Sequence, residues 1–170
     1  MFVIHKVTEG EQQYEEGVNW IKGHLLGTGA FSSCYQARDV KTGTIMAVKQ
    51  VSFCRISEEE QERVEATIEE EILLMSRLKH PNIVRLLGAT RLSTSFSVFT
   101  EWMAGGSVAA MLEKYGAFSE PVVLKYTKQV LAGITYLHKN TILHRDLKGI
   151  IFVLLFWLIW YYKIFMKRSI

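Results

Sequence analysis

The sequence is poor in the residues that mark several large classes of protein. Its 170 residues include two cysteines, Cys34 and Cys54, and two prolines. Two cysteines cannot build a disulfide framework, which favours a reducing, intracellular compartment. Two prolines with 12 glycines exclude collagen and proline-rich linkers. The net charge of +3 is too small to favour a nucleic-acid partner. His5 and Lys6 interrupt the first apolar residues, so we expect no secretory signal and a cytoplasmic location.

Apolar residues are plentiful, and their distribution divides the chain. They make up 49% of the sequence, which excludes a disordered chain, and the length suits one domain. Residues 1–19 are a polar leader, residues 20–149 have the patterning of a globular domain, and residues 150–170 begin with an uncharged run, IIFVLLFWLIWYY.

Short apolar runs bounded by turn residues predict an antiparallel sheet. The expected strands are residues 21–26, 33–38, 44–51, 83–87 and 96–102. Helical spacing predicts three helices, which begin at the capping residues Ser57, Ser107 and Ser119. Two of them have an apolar face. In the first it comprises Val64, Ile68, Ile72, Met75 and Leu78, and in the last Val123, Tyr126, Val130, Ile134 and Leu137. The pattern predicts an α+β fold.

A glycine loop follows the first predicted strand, with the sequence LGTGAFSSC at residues 26–34. Glycines let backbone N–H groups approach phosphate oxygens closely, and a plain hairpin turn is the alternative interpretation. Ser32 stands where a G-x-G-x-x-G pattern has its third glycine. A strand rather than a helix follows, which excludes a dinucleotide-binding fold, and no Gly-Lys-Ser/Thr occurs, which excludes a P-loop.

Lys49 lies within an apolar strand, where an ammonium group is costly unless it meets anions. One interpretation is an edge-strand lysine that points to solvent. The other is a cation for phosphates, oriented by a carboxylate. Glu71 is the natural partner, because it lies beside Ile68 and Ile72 on the predicted buried side of its helix. The other glutamates of that helix form a solvated face.

The third chemical motif is His-Arg-Asp-Leu-Lys-Gly, residues 144–149, which follows the last predicted helix. Asp146 can accept a proton from a hydroxyl nucleophile, and Lys148 can balance phosphate charge.

Together, the order of these motifs resembles a eukaryotic protein kinase. Three stretches of sequence are similar to those of the mitogen-activated protein kinase kinase kinases: the glycine loop, Glu-Trp-Met-Ala-Gly-Gly-Ser-Val at residues 101–108, and residues 143–149. The resemblance covers residues 20–149. It implies a kinase-like fold: a five-stranded antiparallel N-lobe with its αC helix in residues 20–103, and an incomplete helical C-lobe in residues 104–149.

The resemblance also implies roles for individual residues in an ATP site. Asp146 would be the catalytic base, Lys148 would contact the γ-phosphate, and Lys49, paired with Glu71, would bind the α- and β-phosphates. Thr100 would be the gatekeeper. The other residues expected to contact ATP are Leu26, Gly27, Thr28, Gly29, Ala30, Phe31, Ser32, Cys34, Ala47, Glu101 and Met103. The implied function is ATP-dependent phosphorylation of serine or threonine on a downstream protein kinase.

The sequence departs from that family at the Mg²⁺ ligands. Ile151 stands where the catalytic loop should have a metal-binding Asn, and neither Asp-Phe-Gly nor Ala-Pro-Glu occurs in these 170 residues. We therefore assign no metal ligand and expect a truncated chain with little phosphoryl transfer. A decoy that binds a nucleotide or a partner protein without catalysis is the alternative function.

The apolar tail has three interpretations. Between Lys148 and Lys163 the chain carries no charge. If the Lys163 side chain reaches back to the membrane surface, residues 149–166 would span ~27 Å as a helix, which is close to the thickness of a bilayer core. A membrane anchor over residues 150–166 is the first interpretation. A buried strand after the catalytic loop is the second. An alternative or mis-spliced end is the third, which we favour because the family sequence stops at Gly149.

Overall fold

A computed structural model of the chain describes residues 14–29, 31–54 and 56–144. These residues form two compact units. The first contains residues 14–76 and 85–102, and the second contains residues 77–84 and 103–144.

The first unit is built on a five-stranded antiparallel sheet in the order β1-β2-β3-β5-β4. Its strands are β1 (Trp20–Thr28), β2 (Ser32–Asp39), β3 (Ile45–Ser52), β4 (Leu86–Leu92) and β5 (Ser95–Glu101). The sheet confirms the predicted α+β fold. β4, however, was predicted too early. Ile83 and Val84 are buried ahead of the strand, in a turn where the Ile83 N–H donates to the His80 carbonyl. Their apolar character therefore marks burial, not strand pairing.

Helix α1 (Glu58–Ser76) follows β3 in the same unit. Ser57 caps it as predicted, because its hydroxyl accepts a hydrogen bond from the Glu60 N–H at 3.2 Å. Ile68 and Ile72 are buried. Leu78, which was predicted on the same helical face, is buried beyond the end of the helix.

The two faces of the sheet differ in character. One carries the apolar cluster formed by Trp20, Ala37, Met46, Val48 and Phe99. Since side chains alternate along a strand, Ala47 and Lys49, the neighbours of Val48, project from the other face. The fold thus places Lys49 on the face of the sheet opposite this cluster.

The second unit contains α2 (Val108–Tyr115) and α3 (Glu120–Lys139). The Ser107 hydroxyl accepts a hydrogen bond from the Ala110 N–H at 3.1 Å and so caps α2 as predicted. In α3, Val130, Gly133 and Leu137 are buried. Val123, which was predicted on the same apolar face, is 47% exposed. It lies two turns nearer the N-terminus than Val130, and burial among the described residues is confined to the later turns of α3.

Among the described residues, no helix combines the length and the apolar composition needed to cross a membrane.

Candidate functional site

Strand register brings several predicted nucleotide-binding residues to one face of the sheet. Cys34 pairs with Lys49 across β2 and β3, and Lys49 pairs with Val98 across β3 and β5. Ala47 pairs with Thr100. Directly paired residues project to the same face, as do alternate residues along a strand. These five side chains therefore share the face opposite the apolar cluster. Val98 was not predicted, although it precedes Thr100 by two positions in the same strand.

Lys49 provides the positive charge of this face. It lies in β3, between β2 and β5, so the edge-strand interpretation is wrong. Burial lowers the pKa of Lys49 to about 8, and the negative charge of Glu71 opposes that shift. Glu71 is only 5% exposed on the buried side of α1. The structure thus brings the predicted lysine and carboxylate into electrostatic contact away from bulk water, where charge interactions are strong.

Small buried side chains surround the lysine on the same face. Cys34, Ala47 and Thr100 are 1%, 3% and 6% exposed. The Cys34 thiol donates to the Val48 carbonyl at 3.2 Å, and burial raises its pKa to about 12 despite the nearby charge of Lys49. The Thr100 hydroxyl is buried and has no hydrogen-bond partner among the described residues. An unsatisfied buried hydroxyl is uncommon in proteins and is a candidate contact for a ligand.

The glycine loop is the tip of the β1–β2 hairpin. Gly27 pairs with Cys34 and Thr28 with Ser33, and the Gly29 N–H donates to the Ser32 carbonyl at 2.6 Å. A Cβ added at Gly27 would meet no atom within 4 Å, so the space beside this glycine is open. The hairpin geometry is compatible with either interpretation of the loop. Leu26 in β1 and Phe31 just before β2 are each 41% exposed. Ala30 lies outside the described residues.

Glu101 and Met103, which were both predicted to contact ATP, belong to different units. Glu101 ends β5, where its N–H donates to the Arg85 carbonyl and its carboxylate accepts from the Arg85 N–H, at 3.0 and 2.9 Å. Met103 begins the helical part of the second unit, and its carbonyl accepts from the Gly106 N–H at 3.0 Å. Their adenine contacts stay predictions.

The catalytic and metal-binding positions are not described. Asp146, Lys148 and Ile151 lie outside the described residues, so the predicted roles of this loop stay untested. Among residues 14–29, 31–54 and 56–144, no cluster of three or more His, Cys, Asp or Glu side chains could hold a metal ion.

Residues 20–152 match the protein kinase domain family. The chain belongs to the protein kinase family. Human mitogen-activated protein kinase kinase kinase 1 is 58% identical over 142 residues, which are 84% of this chain and 9% of that protein. Mitogen-activated protein kinase kinase kinase 3 of Arabidopsis thaliana is 45% identical over 134 residues, 78% of this chain and 21% of that protein.

These matches confirm the predicted family and its mitogen-activated protein kinase kinase kinase branch, which phosphorylates serine and threonine. The chain spans about a tenth of the length of the human, mouse and rat forms of mitogen-activated protein kinase kinase kinase 1. A solved structure agrees with the kinase-like fold. The crystal structure of Rad53 1-466 in complex with AMP-PNP aligns with a TM-score of 0.62 and 28% identity, covering 78% of this chain and 33% of that one.

Proposed function

We propose that this chain binds ATP on the sheet face that carries Lys49, and that a protein of these 170 residues transfers little or no phosphate to other proteins. The carrying observation is the electrostatic pairing of the half-buried Lys49, on an interior strand, with the buried carboxylate of Glu71. A polyanion is attracted to this ammonium group more strongly than to an exposed lysine, because partial burial reduces the screening of its charge by water.

The rest of the face suits the base of a nucleotide. Cys34 and Ala47 offer small apolar side chains for a planar ring, and Thr100 offers a hydroxyl that lacks a described partner. Gly27 leaves open space where a backbone could approach phosphates. The Rad53 structure was solved with AMP-PNP, an ATP analogue, which supports the same ligand class for this fold.

Phosphoryl transfer needs more than ATP binding. Asp146 would hold the proton of the attacking hydroxyl, and Lys148 would neutralise phosphate charge. ATP, when bound, supplies the phosphoryl group, and Mg²⁺ normally neutralises charge on its phosphates. The side chain of Ile151 has no atom that can bind a cation, although it occupies the place of a metal-binding Asn. Losing that neutralisation removes much of the catalytic advantage. By the names of its relatives, the protein substrate would be a mitogen-activated protein kinase kinase.

Thermal unfolding with and without Mg-ATP tests the binding proposal. Ligand at 100 times its dissociation constant should stabilise the chain by ~2.7 kcal/mol. The variant Lys49→Met should lose this stabilisation. Lys41→Met, at an exposed turn, is the matched control and should keep it. A melt that ATP shifts equally in both variants would contradict binding at Lys49.

Gly27→Ala separates folding from binding. Its added Cβ meets nothing within 4 Å, so the unfolding temperature without nucleotide should match that of the parent chain. If phosphates approach this backbone, the ATP-dependent shift should become smaller. An unchanged ATP shift would mean that the β1–β2 tip is only a hairpin.

Transfer itself is measured with labelled ATP and a mitogen-activated protein kinase kinase as substrate. We expect ATP binding without label transfer, which is the behaviour of a non-catalytic decoy. Restoring the metal-binding side chain with Ile151→Asn alone should not restore turnover, because these 170 residues contain no Asp-Phe-Gly. Label transfer by the parent chain that Asp146→Asn abolishes would refute the inactive part of the proposal.

A further inference from the structure

Helix α3 of the second unit exposes a stripe of apolar side chains. Val123, Leu124 and Leu131 are 47%, 51% and 57% exposed. Leu124 and Leu131 are seven residues apart, so they lie within about 20° of each other around the helix, and Val123 lies about 80–100° from them. The uncharged Thr127 lies between them. We call these four residues the α3 stripe.

An exposed apolar stripe on a helix is expected to pack against another apolar segment. Isolated exposed apolar residues are ordinary, but aligned ones on a helix mark a surface that packs against something. The stripe is distinct from the buried face of α3, which Val130, Gly133 and Leu137 form. Leu143, just after the helix, is 59% exposed and extends the uncovered apolar surface of this unit.

The chain itself carries a segment of matching chemistry close by. Residues 150–162 are 13 consecutive residues without charge, rich in Ile, Leu, Phe and Trp. The segment after α3 is held at the helix end, because the Ile142 N–H donates to the Leu137 carbonyl at 2.9 Å. The described chain therefore ends, at His144, close to the C-terminal end of α3.

Its connection is long enough. Six peptide bonds join His144 to Ile150, which gives a reach of up to ~20 Å. Leu131 lies six residues before Leu137, or ~9 Å along the helix axis. The start of the tail can thus reach Leu131, and the following residues can continue toward Leu124. Intramolecular attachment also gives the tail an effective concentration that a separate molecule would need millimolar amounts to match.

We propose that residues 150–162 pack along the α3 stripe of the same molecule. This inference concerns the second unit only and does not depend on ATP binding. The tail and the stripe would then hide each other's apolar surface from water.

Chemical cross-linking of the full 170-residue chain tests this arrangement. Cys54, the exposed cysteine, is first replaced by Ser, while the buried Cys34 is kept. Leu131→Cys is then combined with Phe152→Cys and treated with a short bismaleimide. The matched control combines Phe152→Cys with Lys125→Cys, an exposed position about 120° around α3.

The expected result is an intramolecular cross-link at least fivefold more abundant from position 131 than from position 125, with a yield independent of protein concentration. Equal yields overturn the proposal. So does a cross-link between two chains that grows with concentration, which would make the stripe an interface between copies. Loss of the intramolecular link when phosphatidylcholine vesicles are added would assign the tail to a membrane and would also overturn it.

A second measurement does not require the double-cysteine variants to fold well. Two of the four tryptophans, Trp157 and Trp160, lie in the tail. Leu131→Lys should raise the quenching of tryptophan fluorescence by acrylamide, because it uncovers the tail. Leu112→Lys, at another exposed leucine, should leave quenching unchanged. Equal quenching in the parent and both variants refutes the contact.

Discussion

Asp39 shows how a single buried carboxylate can organise a turn. It is 2% exposed, and its oxygens accept hydrogen bonds from the Thr42 N–H and hydroxyl, both at 2.6 Å, and from the Tyr14 hydroxyl. Burial alone would raise the pKa of Asp39, but these hydrogen bonds outweigh it and hold the pKa below its usual value. The side chain ties the β2–β3 turn to a residue 25 positions earlier.

Replacing Asp39 by Ala should lower the free energy of unfolding by ~1–3 kcal/mol, because three hydrogen bonds lose their acceptor. Asp39→Asn keeps one acceptor oxygen and should cost less. The depressed pKa means that this stabilisation is fully present above about pH 4 and is lost as pH falls through the lower folded value. Urea unfolding between pH 3 and 7 measures both effects. An Asp39→Ala chain with the parent's stability at pH 7 would contradict this account.

Lys49 gives a pH signature of the same sign, but in the alkaline range. Its folded pKa of about 8 lies below that of an unfolded lysine, so above pH 8 the unfolded chain binds more protons than the folded one. Stability should therefore rise from pH 8 to 9, before the titration of other groups intervenes. The difference between the parent chain and Lys49→Met, followed by urea unfolding, isolates this contribution. A difference that is flat over this interval would argue against a buried ammonium at position 49.

At the scale of elements, helix caps offer an internal comparison. The Ser107 hydroxyl accepts a hydrogen bond from the first turn of α2, whereas Ser119, the N-cap of α3, makes no side-chain capping bond. Ser107→Ala should cost ~0.5–2 kcal/mol of stability, and Ser119→Ala should cost clearly less. Chemical unfolding followed by circular dichroism reads out both. Equal losses would mean that the capping hydrogen bond at Ser107 is not the source of the effect.

Most of the elements could be predicted because their determinants are local. Alternation and glycine turns identified β1, β2, β3 and β5, and capping residues identified the helix starts. β4 was displaced because Ile83 and Val84 are as apolar as a strand but are buried in a turn. Val123 lies on the predicted apolar face of α3, and it is exposed. Periodicity shows which residues could share a face, and only the neighbouring elements decide how much of that face is covered.

The candidate site could be predicted only in part. Lys49 and Glu71 stood out because a charge within an apolar pattern needs a partner. The pairing of Cys34 with Lys49, and of Thr100 with Ala47, depends on strand register, which local sequence does not specify. The contact of Tyr14 with Asp39 could not be predicted either, because it joins two segments that only the folded chain brings together.

At the scale of the molecule, the first unit begins earlier than the family match. The Tyr14 ring packs edge-on against Phe99 at 5.2 Å, and Glu16 forms an ion pair with Lys22 at 2.8 Å, yet the match to the protein kinase domain starts at residue 20. Residues 14–19, predicted to be a polar leader, therefore contribute contacts to the folded sheet.

Deleting residues 1–19 should lower stability by ~1–3 kcal/mol through loss of the Tyr14 hydrogen bond and ring contact. Deleting only residues 1–13 should have a much smaller effect, because none of these contacts is removed. Thermal unfolding of the two shortened chains makes the comparison. If both deletions behave alike, Tyr14 is not an anchor of the unit.

The lowered pKa of Lys49 also has a consequence for chemical reactivity. An amine attacks an electrophile only in its neutral form, and at pH 8 about half of the Lys49 amines are neutral. An ordinary lysine at that pH is neutral in only ~0.4% of molecules. Lys49 should therefore be acylated ahead of the exposed lysines by a reagent small enough to enter the site. A bound nucleotide would slow that acylation, so the modification rate at one amine could serve as an assay of site occupancy in a chain that performs no measurable turnover.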